Sequence, residues 1–251
     1  MEHGRNGNLI KCPHCNHFFE RPGKTNKDLE SVNCKYCKKL IKIEPNSYQF
    51  IHKEHIKNSS PLLIGNSIDR YILKDIQYFI ENNLEGIDYK DLDKIDEKLF
   101  FIRISKELRG YYDNEKLISL NALNIVTKKD ESPYDLKYIL SILNSKLYKI
   151  YADIKVTSGA DLTIRFSNEI MNSLPIPKLD MNNKQDKEIH DKLVNLVDNI
   201  IDLNKKLSSE KNPNTIEMLN TRIQAVDAAI DKIVYSLYNL TDEEIRVIEG
   251  E

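Results

Sequence analysis

The chain has 251 residues, 40% of them hydrophobic and 30% charged, with a formal net charge of −2. That length can bury one large core or two modest ones, and the composition excludes a disordered chain. No apolar run approaches the ~20 residues that span a bilayer, and residues 1–8 lack a signal peptide's apolar segment, so a cytoplasmic location is expected.

The near-zero net charge conceals an asymmetry. Residues 1–60 hold 11 Lys/Arg against 6 Asp/Glu, together with five of the six histidines, whereas residues 181–251 hold 9 against 14. Such a split suits a basic front meeting DNA and an acidic end meeting protein; two ordinary solvated faces would look the same.

The first segment, residues 1–47, reads as a zinc ribbon. Cys12-Pro13-His14-Cys15 and Cys34-Lys35-Tyr36-Cys37 are two knuckles with eighteen residues between them. Each knuckle aims two thiolates at one centre, and together they supply the tetrahedral four-sulfur set that zinc favours. With Cys12, Cys15, Cys34 and Cys37 all engaged, no position stays open for catalysis, so the metal is structural. Two redox pairs or four free thiols are the alternative, but redox motifs seldom come doubled at this spacing. His14, His17, His52 and His55 read as surface residues or phosphate contacts. A turn is expected at Arg21-Pro22-Gly23, and residues 39–43 are β-prone.

Residues 48–180 read as a mixed α/β globule. A strand is expected over 48–56, a break at Ser59-Ser60-Pro61, buried strands over 99–104 and 123–127, and a loop or short helix over 88–98. Ser132 as N-cap and Pro133 in the first turn open a helix that should end near Tyr151. Leu136, Ile139, Leu140, Leu143, Leu147 and Ile150 form its apolar face. Leu174-Pro175-Ile176-Pro177 must be extended, because proline cannot continue a helix.

Residues 181–251 show a sustained heptad. Ile189, Leu193, Leu196, Ile200, Leu203 and Leu207 step by three and four, and so do Ile216, Leu219, Ile223, Val226, Ile230, Ile233, Leu237 and Leu240. Asn212-Pro213 restarts the pattern after a short polar turn, which predicts an antiparallel coiled-coil helical hairpin. Thr241 and Glu244 predict a capping box on a short final helix.

Several stretches, in order, resemble the C-terminal specificity domain of TaqI-like type II restriction-modification enzymes. They are Pro61-Leu62-Leu63-Ile64-Gly65 with Ile68-Asp69-Arg70-Tyr71; Ile142-Leu143-Asn144-Ser145-Lys146-Leu147; Leu174-Pro175-Ile176-Pro177; and the closing stretches over residues 229–235 and 237–245. Ile64 stands where the family commonly has arginine, and Asn239 where it has glycine. The resemblance implies a target-recognition domain for an adenine-specific DNA methyltransferase or its endonuclease, followed by helices that fix it to the catalytic part.

DNA contacts are expected where cationic and hydroxyl side chains gather, since lysine and arginine grip phosphate while arginine also reads guanine. Lys155, Thr157, Ser158, Thr163 and Arg165 make one such stretch. Arg103, Lys106 and Arg109, with Tyr111 and Tyr112, make a second; Lys128 and Lys129 a third. Each could instead be a solvated surface. No methylation motif, glycine-rich cofactor fingerprint or nuclease signature is present, so the chain alone is not expected to catalyse. Two other readings stay open: a fragment of a longer bifunctional methyltransferase–restriction enzyme, and a zinc-stabilised protein-interaction scaffold.

Overall fold

The computed structural model describes residues 9–20, 31–42, 51–82, 92–157 and 163–250. The expected turn at residues 21–23, the positions 43, 48–50 and 88–91, and Ser158 lie outside them. The chain divides into two compact units that interleave in sequence. One comprises residues 1–64, 76–94 and 117–120; the other comprises 65–75, 95–116 and 121–251. The architecture is mixed α/β, with several small sheets and a long C-terminal helical region. Among the described residues, no helix is long and apolar enough to cross a membrane.

The first unit begins with two antiparallel hairpins, β1 (Leu9–Lys11) with β2 (Phe18–Glu20) and β3 (Ser31–Asn33) with β4 (Leu40–Lys42). Ile10, Phe19 and Ile41 bury with the cysteines in a small core. A four-stranded sheet follows in the order β13-β6-β9-β5, from β5 (Ile51–His52), β6 (Ser59–Leu63), β9 (Phe79–Glu81) and β13 (Ile118–Ser119). Phe18, Ile51, Leu62, Ile80 and Ile118 form the core of that sheet. The break expected at Ser59-Ser60-Pro61 falls one step earlier. Ser59 Oγ accepts from the Ile56 N–H at 3.1 Å and donates to the Ile56 carbonyl at 2.7 Å, with Asn58 at φ 63°. The turn is thus complete before Ser59, and Pro61 pairs with Phe79 inside β6. A single 3-10 turn, Leu92–Lys94, occupies part of the segment expected as loop or short helix.

In the second unit, β7 (Ile68–Asp69) and β8 (Ile72–Leu73) make a tight hairpin. Central strand β10 (Lys98–Ile102) is buried throughout and pairs antiparallel with β12 (Gly110–Asp113) and β14 (Leu123–Thr127). Gly110 sits tight against its neighbours: an added Cβ would run into the Phe101 ring and lie 2.8 Å from Leu140 Cδ1, so those side chains would have to shift. The chain bends at Arg103 and leaves the sheet as β11 (Ile104–Ser105), which pairs antiparallel with β15 (Ile164–Arg165). The apolar run 99–104 is therefore two strands, and Ile104 is exposed rather than core.

The helix expected from Ser132 to Tyr151 is two helices with a different start. Asp135 caps α1 (Leu136–Leu143), accepting from the Lys137 N–H at 2.7 Å. The helix stops at Asn144, whose amide is committed elsewhere: it accepts the Gly110 N–H at 2.8 Å and donates to the Gly110 carbonyl at 3.0 Å. A new helix, α2 (Lys146–Thr157), runs past the expected end. Asn168–Ser173 is a short α3, capped by Ser167.

Asn183 caps α4 (Lys184–Ser209), and Asn212, with Pro213 in the first turn, caps α5 (Pro213–Leu237). The two pack on each other as a helical hairpin. Thr241 and Glu244 form the expected capping box on α6 (Asp242–Glu249). Asn239 has φ 52°, a left-handed conformation asparagine tolerates better than most residues, which explains how it can replace glycine there. The buried face of the hairpin is wider than the heptad stripe. Val197, Ile201 and Val234 are buried too, because both helices also pack on α1 in one continuous core.

The proline segment is extended as its composition requires, and tyrosine hydroxyls satisfy its carbonyls. Tyr138 donates to Pro177 at 2.8 Å and Tyr238 to Pro175 at 2.6 Å; Tyr148 also donates to Pro175, and Tyr134 to Leu179 at 2.9 Å. Proline supplies no N–H, so a sheet could not have held this segment from both sides.

Candidate metal centre and nucleic-acid interface

The two cysteine knuckles are copies of one design. Cys12 N–H bonds the His17 carbonyl at 3.0 Å and Asn16 N–H returns to the Cys12 carbonyl at 2.9 Å. In the second knuckle the same bonds join Cys34 to Lys39 at 2.9 Å and Lys38 to Cys34 at 3.0 Å. Asn16 and Lys38, at the equivalent turn position, have φ 59° and 61°. Each turn aims backbone N–H groups at its first sulfur: His14 at Cys12 (3.4 Å), Tyr36 and Cys37 at Cys34 (3.4 and 3.5 Å).

The four sulfurs converge. Sγ–Sγ distances are 3.6 Å for Cys12–Cys37 and for Cys15–Cys34, and all four lie within 4.8 Å of one another. Four thiols so close cannot behave alike. Burial pushes the Cys34 thiol up, but the N–H groups of Cys37 and Tyr36 outweigh it and bring it down to about 6. The backbone bond from His17 lowers Cys15, yet burial and the neighbouring sulfurs push it up to about 12. The arrangement can hold a metal ion. The histidines lie outside this cluster: His17 Nδ1 meets the Cys15 carbonyl at 2.9 Å, His52 Nε2 meets Glu81 at 3.1 Å, and His55 packs edge-on against Phe79.

In the second unit the structure joins two of the three basic stretches. Ile104 stands opposite Arg165 and Ser105 opposite Ile164, and the Phe166 N–H extends the ladder to the Arg103 carbonyl at 2.9 Å. Residues about sixty positions apart thus share one strand pair. Its side chains alternate: Ile104, Lys106, Thr163 and Arg165 are exposed, whereas Ser105, Ile164 and Phe166 are buried. Arg165 and Arg103 have no ion-pair partner among the described residues, and Arg103 Nε is buried without a hydrogen bond.

Arg109 is placed differently. It pairs with Asp69 at 3.5 Å and Glu107 at 3.6 Å, and so is bound to carboxylates of its own unit. Tyr111 and Tyr112, on β12, are both buried and do not form an exposed aromatic patch. Lys128 and Lys129 are exposed at the end of β14, on the rim of a cleft of about 480 Å³ that Asn124, Asn168, Asn172 and Tyr134 also line. Lys155 and Thr157 belong to α2, so the stretch expected as loop begins helical.

The conspicuous motif residues turn out to fasten the unit together. Arg70 grips Asp227 on α5 with two bonds of 2.9 and 2.7 Å. Lys146 N–H, opening α2, bonds Asp231 on the same helix at 2.9 Å. Tyr71, at φ 59°, gives its N–H to the Gly110 carbonyl that Asn144 also holds. Burial raises the Asp231 carboxyl to about 6 against the lowering effect of that Lys146 bond; its Oδ2 has no partner. Three separated sequence motifs therefore meet on α5.

A family model described as the TaqI-like C-terminal specificity domain matches residues 27–176, more than half of the chain. The chain belongs to that family. The specificity-domain match takes in the second knuckle, both strands of the β11–β15 pair and the proline segment through Ile176. The first knuckle and the helical hairpin lie outside it. No curated protein matches the chain.

Proposed function

We propose that this protein reads a short double-stranded DNA sequence for a type II restriction-modification system, as the specificity part of an adenine methyltransferase or its endonuclease. The observation that carries the reading is membership of a specificity-domain family over the stretch that builds the β11–β15 pair. That pair presents Arg165, Thr163 and Lys106 on one exposed face, with Arg103 at its base, the residue types that grip phosphate and read bases. Lys155, Thr157, Ser158, Lys128 and Lys129 are proposed as further backbone contacts. Arg109 is the weakest member of the set, since any phosphate must compete with Asp69 and Glu107.

The metal of the knuckles is, on this reading, one structural zinc. A tetrahedral site with Zn–S near 2.3 Å requires sulfurs about 3.8 Å apart, and the 3.6 Å separations fit that requirement. Cys12, Cys15, Cys34 and Cys37 would hold it, tying two hairpins of three-residue strands that bury too little to be stable alone. The division into ribbon (1–47), recognition globule (48–180) and coiled-coil hairpin (181–251) belongs to the same proposal, with the hairpin facing the catalytic domain or subunit.

Selection from a random duplex pool tests this, using the full chain with and without its catalytic partner. Enrichment of one sequence, with affinity falling steeply as salt rises, is the expected result. Binding to no duplex at any salt would leave a zinc-stabilised scaffold as the better reading.

A further inference from the structure

The exposed face of the β11–β15 pair contains one residue that electrostatics does not explain. Ile104 is 52% exposed, although its strand continues a fully buried one. Lone exposed aliphatic residues are ordinary. This one is set apart by its surroundings. Its cross-strand partner is Arg165, the next outward position is Lys106, and the preceding residue, Arg103, carries a buried Nε with no hydrogen bond. An apolar side chain framed by cations on a narrow two-stranded element does not suit a greasy protein interface. It does suit a surface that is anionic along its edges and offers apolar groups at defined points.

The major groove of B-DNA is such a surface. It admits a two-stranded β-ribbon, and the apolar group on its floor is the C5-methyl of thymine, while guanine offers O6 and N7 to arginine. Directly opposed residues of an antiparallel pair have Cβ atoms about 5 Å apart, which is within reach of neighbouring base pairs stacked at ~3.4 Å. The inward residues Ser105, Ile164 and Phe166 anchor the pair to the unit, so the outward four are presented on a backed strand pair rather than on a free loop.

Resting on the DNA-reading function proposed above, we propose that β11–β15 enters the major groove with Ile104 against a thymine methyl, next to the base pair read by Arg165. Ile104 then determines part of the sequence preference through an apolar contact, and Thr163 and Lys106 flank it.

The experiment uses the full chain and the duplex it selects from the random pool. Each thymine is replaced in turn by deoxyuridine, which lacks only the methyl, and binding is measured for the native chain and for Ile104→Ala. One position should stand out where uracil weakens native binding about four-fold, the worth of one buried methyl group. At that position Ile104→Ala should bind thymine and uracil duplexes alike. Uracil effects identical in the two proteins at every position would overturn the inference, as would a selected site without thymine. Loss of partner association with unchanged DNA binding in Ile104→Ala would overturn it too. Failure to select any sequence sinks the DNA-reading function itself, a distinguishable result. Ile104 is exposed, so unchanged thermal melting of the variant is the folding control; Ile104→Val, which keeps a branched contact, should retain most of the thymine preference.

Discussion

Lys98 and Asp113 offer the sharpest test of the energetics of the second unit. They are cross-strand partners on β10 and β12, their side chains are wholly inaccessible, and Nζ lies 2.7 Å from Oδ2. Removing one partner leaves a charge buried and uncompensated, which costs about 3–5 kcal/mol, whereas replacing both with apolar residues of similar size is often neutral or stabilising. Lys98→Met and Asp113→Leu should each be strongly destabilising, and the double variant should recover nearly all of the loss. Two further bonds of the pair are consistent with that recovery. Asp113 also accepts the Glu115 N–H at 2.9 Å and Lys98 donates to the Ile95 carbonyl at 3.4 Å. Both partners are on residues that water can reach in part, so losing those bonds costs little. Urea unfolding followed by far-ultraviolet circular dichroism reports this unit, because the α-helices all lie in it among the described residues. A double variant that loses the sum of the two single losses would refute the argument, as would singles costing under about 1 kcal/mol.

Cys34→Ser should release the metal and melt the two knuckle hairpins; elemental analysis of chelator-washed protein should find one zinc per native chain and almost none in the variant. Asp231 predicts a pH dependence whose sign is unusual for a carboxylate. Its native value of about 6 exceeds the ordinary 3.8, so the folded state binds the extra proton. Stability is then highest below about pH 4 for this group and falls by roughly 2–3 kcal/mol as pH rises to 6, a fall that Asp231→Asn should abolish in melting curves. Gly110→Ala forces a methyl into Phe101 and Leu140 and should cost about 1–3 kcal/mol in the same urea assay. Arg165→Ala should lose roughly 1–3 kcal/mol on the selected duplex and little on a scrambled one, while Lys155→Ala should weaken both alike and flatten the log–log salt slope by about 0.9.

Local chemistry was readable where it acts locally. The paired knuckles, the caps at Asn212 and Thr241, and the extended proline run follow from residue types at short spacing, and the structure has each of them. What eluded the sequence depends on distant partners. Asn144 ends α1 only because Gly110, 34 residues earlier, claims its amide. Ile104 reads as core because its neighbours on β10 are core; its exposure arises at the Arg103 bend and from pairing with Arg165. No windowed pattern contains that pairing. Tyr111 and Tyr112 are the converse case, since tyrosine suits a buried strand as well as an exposed stacking surface. The heptad positions were right for the helices but too narrow for their burial, as α1 demands a second face of the hairpin.

The alternation along β11 and β15 has a consequence for inherited variation. Side chains that secure the strand pair point one way, and solvent-exposed side chains point the other. Mutations at positions 104, 106, 163 and 165 therefore escape the purifying pressure that folding exerts on 105, 164 and 166, because surface changes of this kind usually shift stability by no more than about 0.5 kcal/mol. On the DNA-reading function proposed above, a lineage could change its target preference on an unaltered scaffold, each step visible to selection only through the DNA it comes to favour.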